Sequence, residues 1–249
     1  MRGAGLRRPC IHDEPEPVLT LRPPLPLTVP MRGEELLATL RAEARAGRPV
    51  AAVMRHAARH PIADPQRPEL AELTADGCAA AEAFGAQLGS FSRVRLFHSP
   101  VKRCQQTAEC IARGVGRTGT GAIVELVGPH PALGIDYIRD LTEAGRLTVQ
   151  HGDHFVRLWF EGRVPPTVVD PVPALAALKL DFVRAQLAAA TPGTLDLRVS
   201  HDWNIIVLRE HLVGVRHEDA GWLTFLDGVT FRPSERGLRA VYREHAREV

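Results

Sequence analysis

The stretch Val50-Ala-Ala-Val-Met-Arg-His-Ala-Ala-Arg59 joins an apolar run to a histidine that has an arginine on either side. The apolar residues 50–54 predict a short buried strand. His56, Arg55 and Arg59 then follow at the carboxyl end of that strand, where open α/β sheets bind anionic ligands. Guanidinium groups hold phosphate by paired hydrogen bonds, and a neutral imidazole among them can attack it. The stretch therefore predicts a phosphate site with a histidine nucleophile.

A second strand, residues 195–199, leads into Ser200-His201-Asp202 much later in the chain. In phosphoryl transfer, His201 could donate a hydrogen bond to the transferring group. Asp202 could protonate the leaving oxygen and then, as a carboxylate, activate a water molecule. Arg103, on a helix predicted to begin near residue 101, could supply a further positive charge. Nearby cations should also lower the pKa of His56 and keep it neutral near pH 7.

Strands alternate with helices along most of the chain, with strands predicted at 50–55, 93–97, 122–127 and 195–199. This order predicts an α/β fold, a three-layer α/β/α sandwich with a mainly parallel central sheet. The tail, 221–241, predicts two more strands. The pattern is looser at about 134–173, which predicts a small inserted cap lobe within a domain spanning 31–249. The proline-rich residues 1–30 predict a loosely ordered arm.

Composition excludes several classes of function. Lys+Arg 31 against Asp+Glu 29 gives a net charge of +2, too balanced for a protein that coats nucleic acid. No apolar stretch approaches the ~20 residues of a membrane span. A cytoplasmic location is therefore expected, with free thiols rather than a disulfide framework. These thiols belong to Cys10, Cys78, Cys104 and Cys110.

Four motifs in this order resemble the histidine phosphatase superfamily over roughly residues 48–245. The resemblance implies that His56 is phosphorylated and that Asp202 donates a proton. It also implies a phosphate pocket formed by Arg55, Arg59, Arg103 and His201. The arrangement of these residues itself requires no metal, and no cofactor is expected. The motifs are Arg55-His-Ala-Ala-Arg-His-Pro61, Leu73-Thr-Ala-Asp-Gly77, Ser99-Pro-Val-Lys-Arg-Cys-Gln-Gln-Thr-Ala108 and Ser200-His-Asp202.

Two departures from the family pattern leave alternatives open. Ala57 stands where the family usually has glycine, and its methyl group could crowd the phosphate. The mutase branch places its acid before the last histidine, so three earlier carboxyl groups could replace that of Asp202. These are Glu125, Asp136 and Asp140. Asp202 is favoured because its adjacency to His201 needs no further assumption.

The sequence predicts a metal-independent phosphomonoester hydrolase acting on a small phosphorylated metabolite. Alternatives are a phosphomutase of the same superfamily and a pseudo-phosphatase that binds a phosphate ester without turnover. His56 and His60 have the spacing of metal ligands on a helix, but Pro61 and the flanking arginines argue against a metal there. In the predicted lobe, Trp159 could stack on a ring of the substrate.

Overall fold

The computed structural model describes residues 33–64 and 67–249, so the arm predicted over 1–30 lies outside the described residues. The strands are β1 (Val50–Arg55), β2 (Arg93–His98), β3 (Ile123–Pro129), β4 (Thr194–Ser200), β5 (Gly228–Ser234), β6 (Gly237–Tyr242) and β7 (His245–Glu248). The helices are α1 (Glu34–Arg45), α2 (Ala75–Gly85), α3 (Lys102–Gly116), α4 (Leu141–His151), α5 (His154–Phe160), α6 (Val172–Ala188), α7 (Asp202–Val207) and α8 (His217–Ala220). A π-helical turn, Leu208–Val213, continues α7.

The seven strands form one sheet in the order β3-β2-β4-β1-β5-β6-β7. The first four strands of that order are parallel, and β5, β6 and β7 extend the sheet in antiparallel pairs. The prediction of a mainly parallel central sheet is confirmed, and its parallel part consists of β1, β2, β3 and β4. The sequence predicted two strands in the tail, whereas the structure has three. The short β7 was missed because its side chains are all exposed and give no apolar alternation.

The sheet is covered by helices on both faces, which confirms the three-layer α/β/α fold. One apolar layer is formed with α1, α2 and α3, and the other with α5, α6 and α7. Strand β1 contributes to both layers, because Val53 faces one and Met54 faces the other. Burial on both faces explains why this strand is a continuous apolar run rather than an alternating one.

Gly77, in the first turn of α2, allows that helix to pack closely on the loop that follows β1. A Cβ atom at this position would collide with the carbonyl oxygen of Ala58. Thr74 caps the helix by accepting a hydrogen bond from the Gly77 backbone nitrogen at 3.0 Å. The Leu-Thr-x-x-Gly motif therefore positions the loop that carries Arg59 and supplies no reactive group itself.

The segment predicted as a lobe, 134–173, contains helices α4 and α5, followed by turns and an isolated bridge between Ile138 and Val169. Trp159 of α5 is 2% exposed, and its indole nitrogen donates to the Asp170 carbonyl at 2.8 Å. The expectation that Trp159 stacks on substrate is therefore wrong. A single helix of seven residues has too few turns for its sequence to reveal which face is buried.

The cysteine prediction is wrong for one pair. Cys78 of α2 and Cys110 of α3 form a disulfide, with their Cα atoms 5.7 Å apart. Cys104 is a buried free thiol, as predicted, and Cys10 lies outside the described residues. The pair was missed because its two members come together only when two helices pack. Disulfides are rare in reducing compartments, so the bridge weighs against the expected cytoplasmic location, which stays a prediction.

Over the described ranges, none of the helices combines the length and the apolar character needed to cross a bilayer.

Candidate active site

The carboxyl ends of three neighbouring parallel strands bring the candidate residues together. His56 follows β1, Ser99 follows β2 and His201 follows β4, which lies between the other two. The His56 backbone nitrogen donates to the Ser200 carbonyl at 3.0 Å, continuing the β1–β4 pairing beyond the strand ends. The parallel sheet thus converts two sequence motifs 145 positions apart into one site, as the sequence predicted.

His56 is held in one tautomer by its two ring contacts. Its Nδ1 lies 2.7 Å from the Ala57 carbonyl oxygen, which can only accept, so Nδ1 carries the proton. Arg103 Nε, which can only donate, lies 3.1 Å from His56 Nε2. Both contacts require a neutral imidazole with its lone pair on Nε2. Burial lowers the pKa of His56 well below its usual value, and His201 and the nearby arginines lower it further. The predicted direction is confirmed, with burial as the largest cause.

Arg103 lies between the two histidines, near the beginning of α3. Besides the bond to His56, its Nη2 lies 3.2 Å from His201 Nδ1 and its Nη1 donates to the Pro68 carbonyl at 2.6 Å. The guanidinium group is therefore fixed in orientation by three different acceptors. In this arrangement it covers the lone pair of His56 Nε2.

His201 is neutral and oriented by two contacts. Because Arg103 donates to Nδ1, the ring proton of His201 is on Nε2, which lies 2.9 Å from Ser99 Oγ. Burial lowers the pKa of His201 to about 3, and Arg103 contributes to the shift. The single ring N–H of His201 is engaged by Ser99. A hydrogen bond from His201 to phosphate, as predicted, therefore requires that N–H to change partner.

Asp202 forms an ion pair with Arg55, with 2.9 Å between Oδ2 and Nη2. The Trp222 indole nitrogen donates to the same oxygen at 3.2 Å, and the Trp203 backbone nitrogen donates to Oδ1 at 3.0 Å. Burial raises the pKa of Asp202, but Arg55 and these two donors outweigh it and keep the pKa below its usual value. Asp202 is therefore a carboxylate in the substrate-free site.

The charges of the site are unbalanced. Arg55, Arg59 and Arg103 are cations, both histidines are neutral, and Asp202 is the one carboxylate among the described residues that line the cavity. Burial and the other two arginines lower the pKa of Arg59, but a guanidinium group remains protonated in proteins. The net charge of plus two would balance the charge of minus two on a phosphate monoester dianion.

A cavity of about 360 Å³ opens above these groups, and all six residues of the predicted catalytic and phosphate-binding set line it. These are Arg55, His56, Arg59, Arg103, His201 and Asp202. Ala57 does not line it, because its methyl group is buried in the core cluster with α2 and α3. The alanine that stands in place of the family's glycine therefore leaves the phosphate site uncrowded.

The three alternative carboxyl groups lie outside the cavity lining. Glu125 is exposed on β3 and lies 3.3 Å from the Arg93 guanidinium. Asp140 caps α4 by accepting from the Glu143 backbone nitrogen at 2.9 Å. Asp136 is exposed. Of the four candidates for the proton donor, Asp202 is the one that the structure places beside the histidines.

Among the described residues, one group has a spacing that suits a metal ion, and it lies outside the cavity lining. Its members are Glu210, His217 and Glu218. Arg157 donates to both carboxylates at 2.6 Å and already supplies the positive charge between them. His60 is exposed and does not join His56 at the cavity. The cavity lining itself holds three guanidinium groups, whose positive charge repels a metal cation.

Several residues of the site were not found from the sequence. Phe225 packs against Arg55, with 4.4 Å from the guanidinium carbon to the ring centre, and its ring lies 5.7 Å from that of His56. Trp222 binds Asp202 as described above. Both come from the loop between α8 and β5, which carries no motif. Ser99 lay within a quoted motif but was given no role.

Lys179 of α6 is a further buried group that the sequence did not single out. Its Nζ donates to the Ala132 carbonyl at 2.6 Å and lies 5.6 Å from the ring centre of Tyr137, which lines the cavity. Burial lowers the pKa of Lys179 to about 7. The lysine therefore supports the cavity wall from behind and does not reach the cavity itself.

Comparison with known proteins agrees with this geometry. Residues 47–124 match the family model described as histidine phosphatase superfamily, branch 1. The matched range contains His56, both flanking arginines and Arg103, and it ends before His201. No curated protein matches the sequence closely enough to count as a relative.

Similar solved structures share the fold at low sequence identity. A structure named mycobacterial hydrolase 2 has a TM-score of 0.56 and 16% identity, covering 80% of this chain and 92% of its own. A mycobacterial glucosyl-3-phosphoglycerate phosphatase has a TM-score of 0.55 and 16% identity, with 78% and 98% covered. A phosphoserine phosphatase variant from Entamoeba histolytica, in complex with phosphoserine, has 0.52 and 16%, with 79% and 97% covered.

Proposed function

We propose that this chain belongs to the histidine phosphatase superfamily, whose model its residues 47–124 match, and that it is a metal-independent phosphomonoester hydrolase. The observation that carries the proposal is the state of His56. Its lone pair is on Nε2, at the floor of a cavity with a net charge of plus two. The phosphatase neighbours named above support the same class of reaction.

In the first step, the His56 Nε2 lone pair attacks phosphorus and the ester P–O bond breaks. Arg103 Nε, which donates to Nε2 in the substrate-free site, exchanges this hydrogen bond for one to a phosphate oxygen and keeps its proton, so the group that masks the nucleophile also offsets the charge of the substrate. Arg55 and Arg59 bind the remaining non-bridging oxygens. The product of this step is a phosphohistidine and an alkoxide leaving group.

Asp202 supplies the proton that the alkoxide needs. A phosphate dianion that competes for Arg55 withdraws the cation that lowers the pKa of Asp202, so on substrate binding the Asp202 carboxylate takes up a proton from solvent. After the alcohol leaves, the Asp202 carboxylate accepts a proton from water while the water oxygen attacks phosphorus. The P–N bond breaks, the electron pair returns to Nε2, and phosphate departs.

The test is hydrolysis of p-nitrophenyl phosphate in the presence of a chelator. We expect the wild-type protein to be active, His56→Ala to be inactive, and His245→Ala, an exposed change on β7, to be fully active. Quenching the reaction with labelled substrate should trap a label that is stable to alkali and lost in acid. Activity that survives His56→Ala would overturn the proposal.

The same experiment separates the alternative functions. A phosphomutase would retain its phosphoryl label until a second acceptor alcohol is added, whereas a hydrolase releases inorganic phosphate to water alone. A pseudo-phosphatase would bind inorganic phosphate without turnover of any ester. The buried position of Ala57 removes the steric reason for expecting a pseudo-phosphatase.

A further inference from the structure

The cavity has a floor and a wall of different chemistry. The floor consists of the three arginines, two histidines and Asp202 described above. The wall is formed by Ile62, Ile135, Tyr137, Ile138, Leu141 and Trp203. Four of these are aliphatic side chains that are only partly buried, so they present apolar surface to the cavity.

The wall offers little to a polar substrate. Its side-chain polar groups are the Tyr137 hydroxyl and the Trp203 indole N–H. Burial raises the pKa of Tyr137 well above its usual value, so this group stays uncharged. Over the described ranges, every charged side chain that lines the cavity belongs to the floor.

One bound phosphate engages all of the cations of the floor. In the proposed complex the phosphate binds all three guanidinium groups of the described cavity lining, whether or not Asp202 is protonated. A second anionic group on the substrate would find no cation left to pair with it, and desolvating an unpaired carboxylate is costly. Lys179 does not compensate, because it lies behind Tyr137 with its Nζ bound to Ala132.

We propose that the alcohol released from the substrate is uncharged and carries an apolar alkyl or aryl group that lies against this wall. The proposal rests on the proposed function and deepens it. It sets this chain apart from neighbours whose names refer to phosphoserine and glucosyl-3-phosphoglycerate, which carry charged or hydroxylated groups beside their phosphate.

The test uses ligands that cannot turn over. We would measure the Kd of ethyl-, butyl- and hexylphosphonate at pH 8 by calorimetry with the wild-type protein. Each added methylene should tighten binding roughly threefold and make the heat-capacity change of binding more negative. 3-Phosphonopropionate, which adds a carboxylate at similar length, should bind at least about tenfold more weakly than butylphosphonate. A Kd that does not change with chain length, or tighter binding of 3-phosphonopropionate, would overturn the proposal.

A matched pair of variants assigns the effect to the wall. Leu141→Asn, in the first turn of α4, should reduce the preference for hexyl- over ethylphosphonate. Val149→Asn, on the same helix and 80% exposed, should leave it unchanged. An unchanged preference in Leu141→Asn would contradict the assignment of this wall.

Turnover then separates this proposal from the proposed function. Hexyl phosphate should be hydrolysed with a higher kcat/KM than glycerol phosphate, in a reaction that requires His56. Chain-length-dependent binding without any turnover would sink the hydrolase proposal and leave the wall proposal standing. His56-dependent hydrolysis that favours glycerol phosphate would do the reverse.

Discussion

The Thr107 hydroxyl lies 3.1 Å from the Ala57 backbone nitrogen and accepts its hydrogen bond. The same hydroxyl donates to the Arg103 carbonyl at 2.7 Å, one turn earlier on α3. One buried oxygen therefore links the residue that follows His56 to the turn that carries Arg103. It fixes the distance between the two groups that meet at His56 Nε2.

Thr107→Val should separate these groups while keeping the volume of the side chain. The change leaves the buried Ala57 N–H without its partner, which we expect to lower the free energy of unfolding by about 1–3 kcal/mol. It should also lower kcat, because the His56–Arg103 contact is no longer fixed. Urea unfolding and aryl phosphate hydrolysis measure the two effects. Thr107→Ser, which retains the hydroxyl, is the control, and a Val variant that matches it would disprove this role.

Asp202→Asn should discriminate between leaving groups. An aryl phosphate such as p-nitrophenyl phosphate leaves as a stable anion and needs little protonation, whereas an alkoxide needs a proton. We expect the ratio of kcat/KM for aryl over alkyl phosphate to rise roughly 10²-fold or more in the variant. Glu125→Gln is the control, because Glu125 lies outside the cavity lining. An equal loss on both substrates would move the acid role to another group.

His201 should make the folded protein less stable in acid. Burial lowers the pKa of His201 to about 3, whereas in the unfolded chain the pKa of histidine is ~6.5. Between these values the unfolded chain binds a proton that the folded protein does not. The free energy of unfolding therefore falls as the pH is lowered through this window, by ~1.4 kcal/mol per pH unit for one such group.

Urea unfolding at pH 7, 6 and 5 measures this slope. His201→Asn should reduce the slope by the ~1.4 kcal/mol per pH unit that one such group contributes. His245→Ala, an exposed change, should leave the slope unchanged. A slope that is the same in wild type and His201→Asn would show that His201 takes up its proton in the folded protein as well.

Lys179 should make the free energy of unfolding depend on pH in the alkaline range. Burial lowers its pKa to about 7, against ~10.4 in the unfolded chain. The unfolded chain is the more protonated state between these values, so the contribution of Lys179 to stability rises with pH across the window. Lys179→Met should flatten this rise, measured by urea unfolding from pH 7 to 10. Lys102→Met changes the chain's other lysine, which is exposed, and should leave the rise in stability with pH unchanged.

The floor of the cavity could be predicted from the sequence because parallel strands place their carboxyl ends at one edge. Strands β1 and β4 are each short buried runs that end directly before a histidine, so their neighbourhood followed from the fold class alone. Trp222 and Phe225 could not be found this way. They reach the site from a loop whose path depends on β5 pairing antiparallel to β1, and nothing local in its sequence records that pairing.

Two predictions were wrong: Trp159 lies in the core rather than at the substrate, and Cys78 and Cys110 are paired rather than free. An aromatic residue in a loosely patterned segment is equally compatible with a pocket and with a core, and packing of α5 beneath Tyr137 decided for the core. Cys78 and Cys110 lie 32 residues apart on separate helices. Their spacing carries no information until α2 and α3 are placed side by side.

The floor and the wall of the cavity come from separate parts of the chain. The reactive groups stand at the ends of β1 and β4 and the beginning of α3, whereas most of the wall is one continuous run, 135–141, that contributes no reactive group. Substrate preference and reaction chemistry are therefore free to diverge in evolution. Under the proposed function, exchanging that short run for another alters which phosphate esters are accepted without disturbing the residues that cleave them.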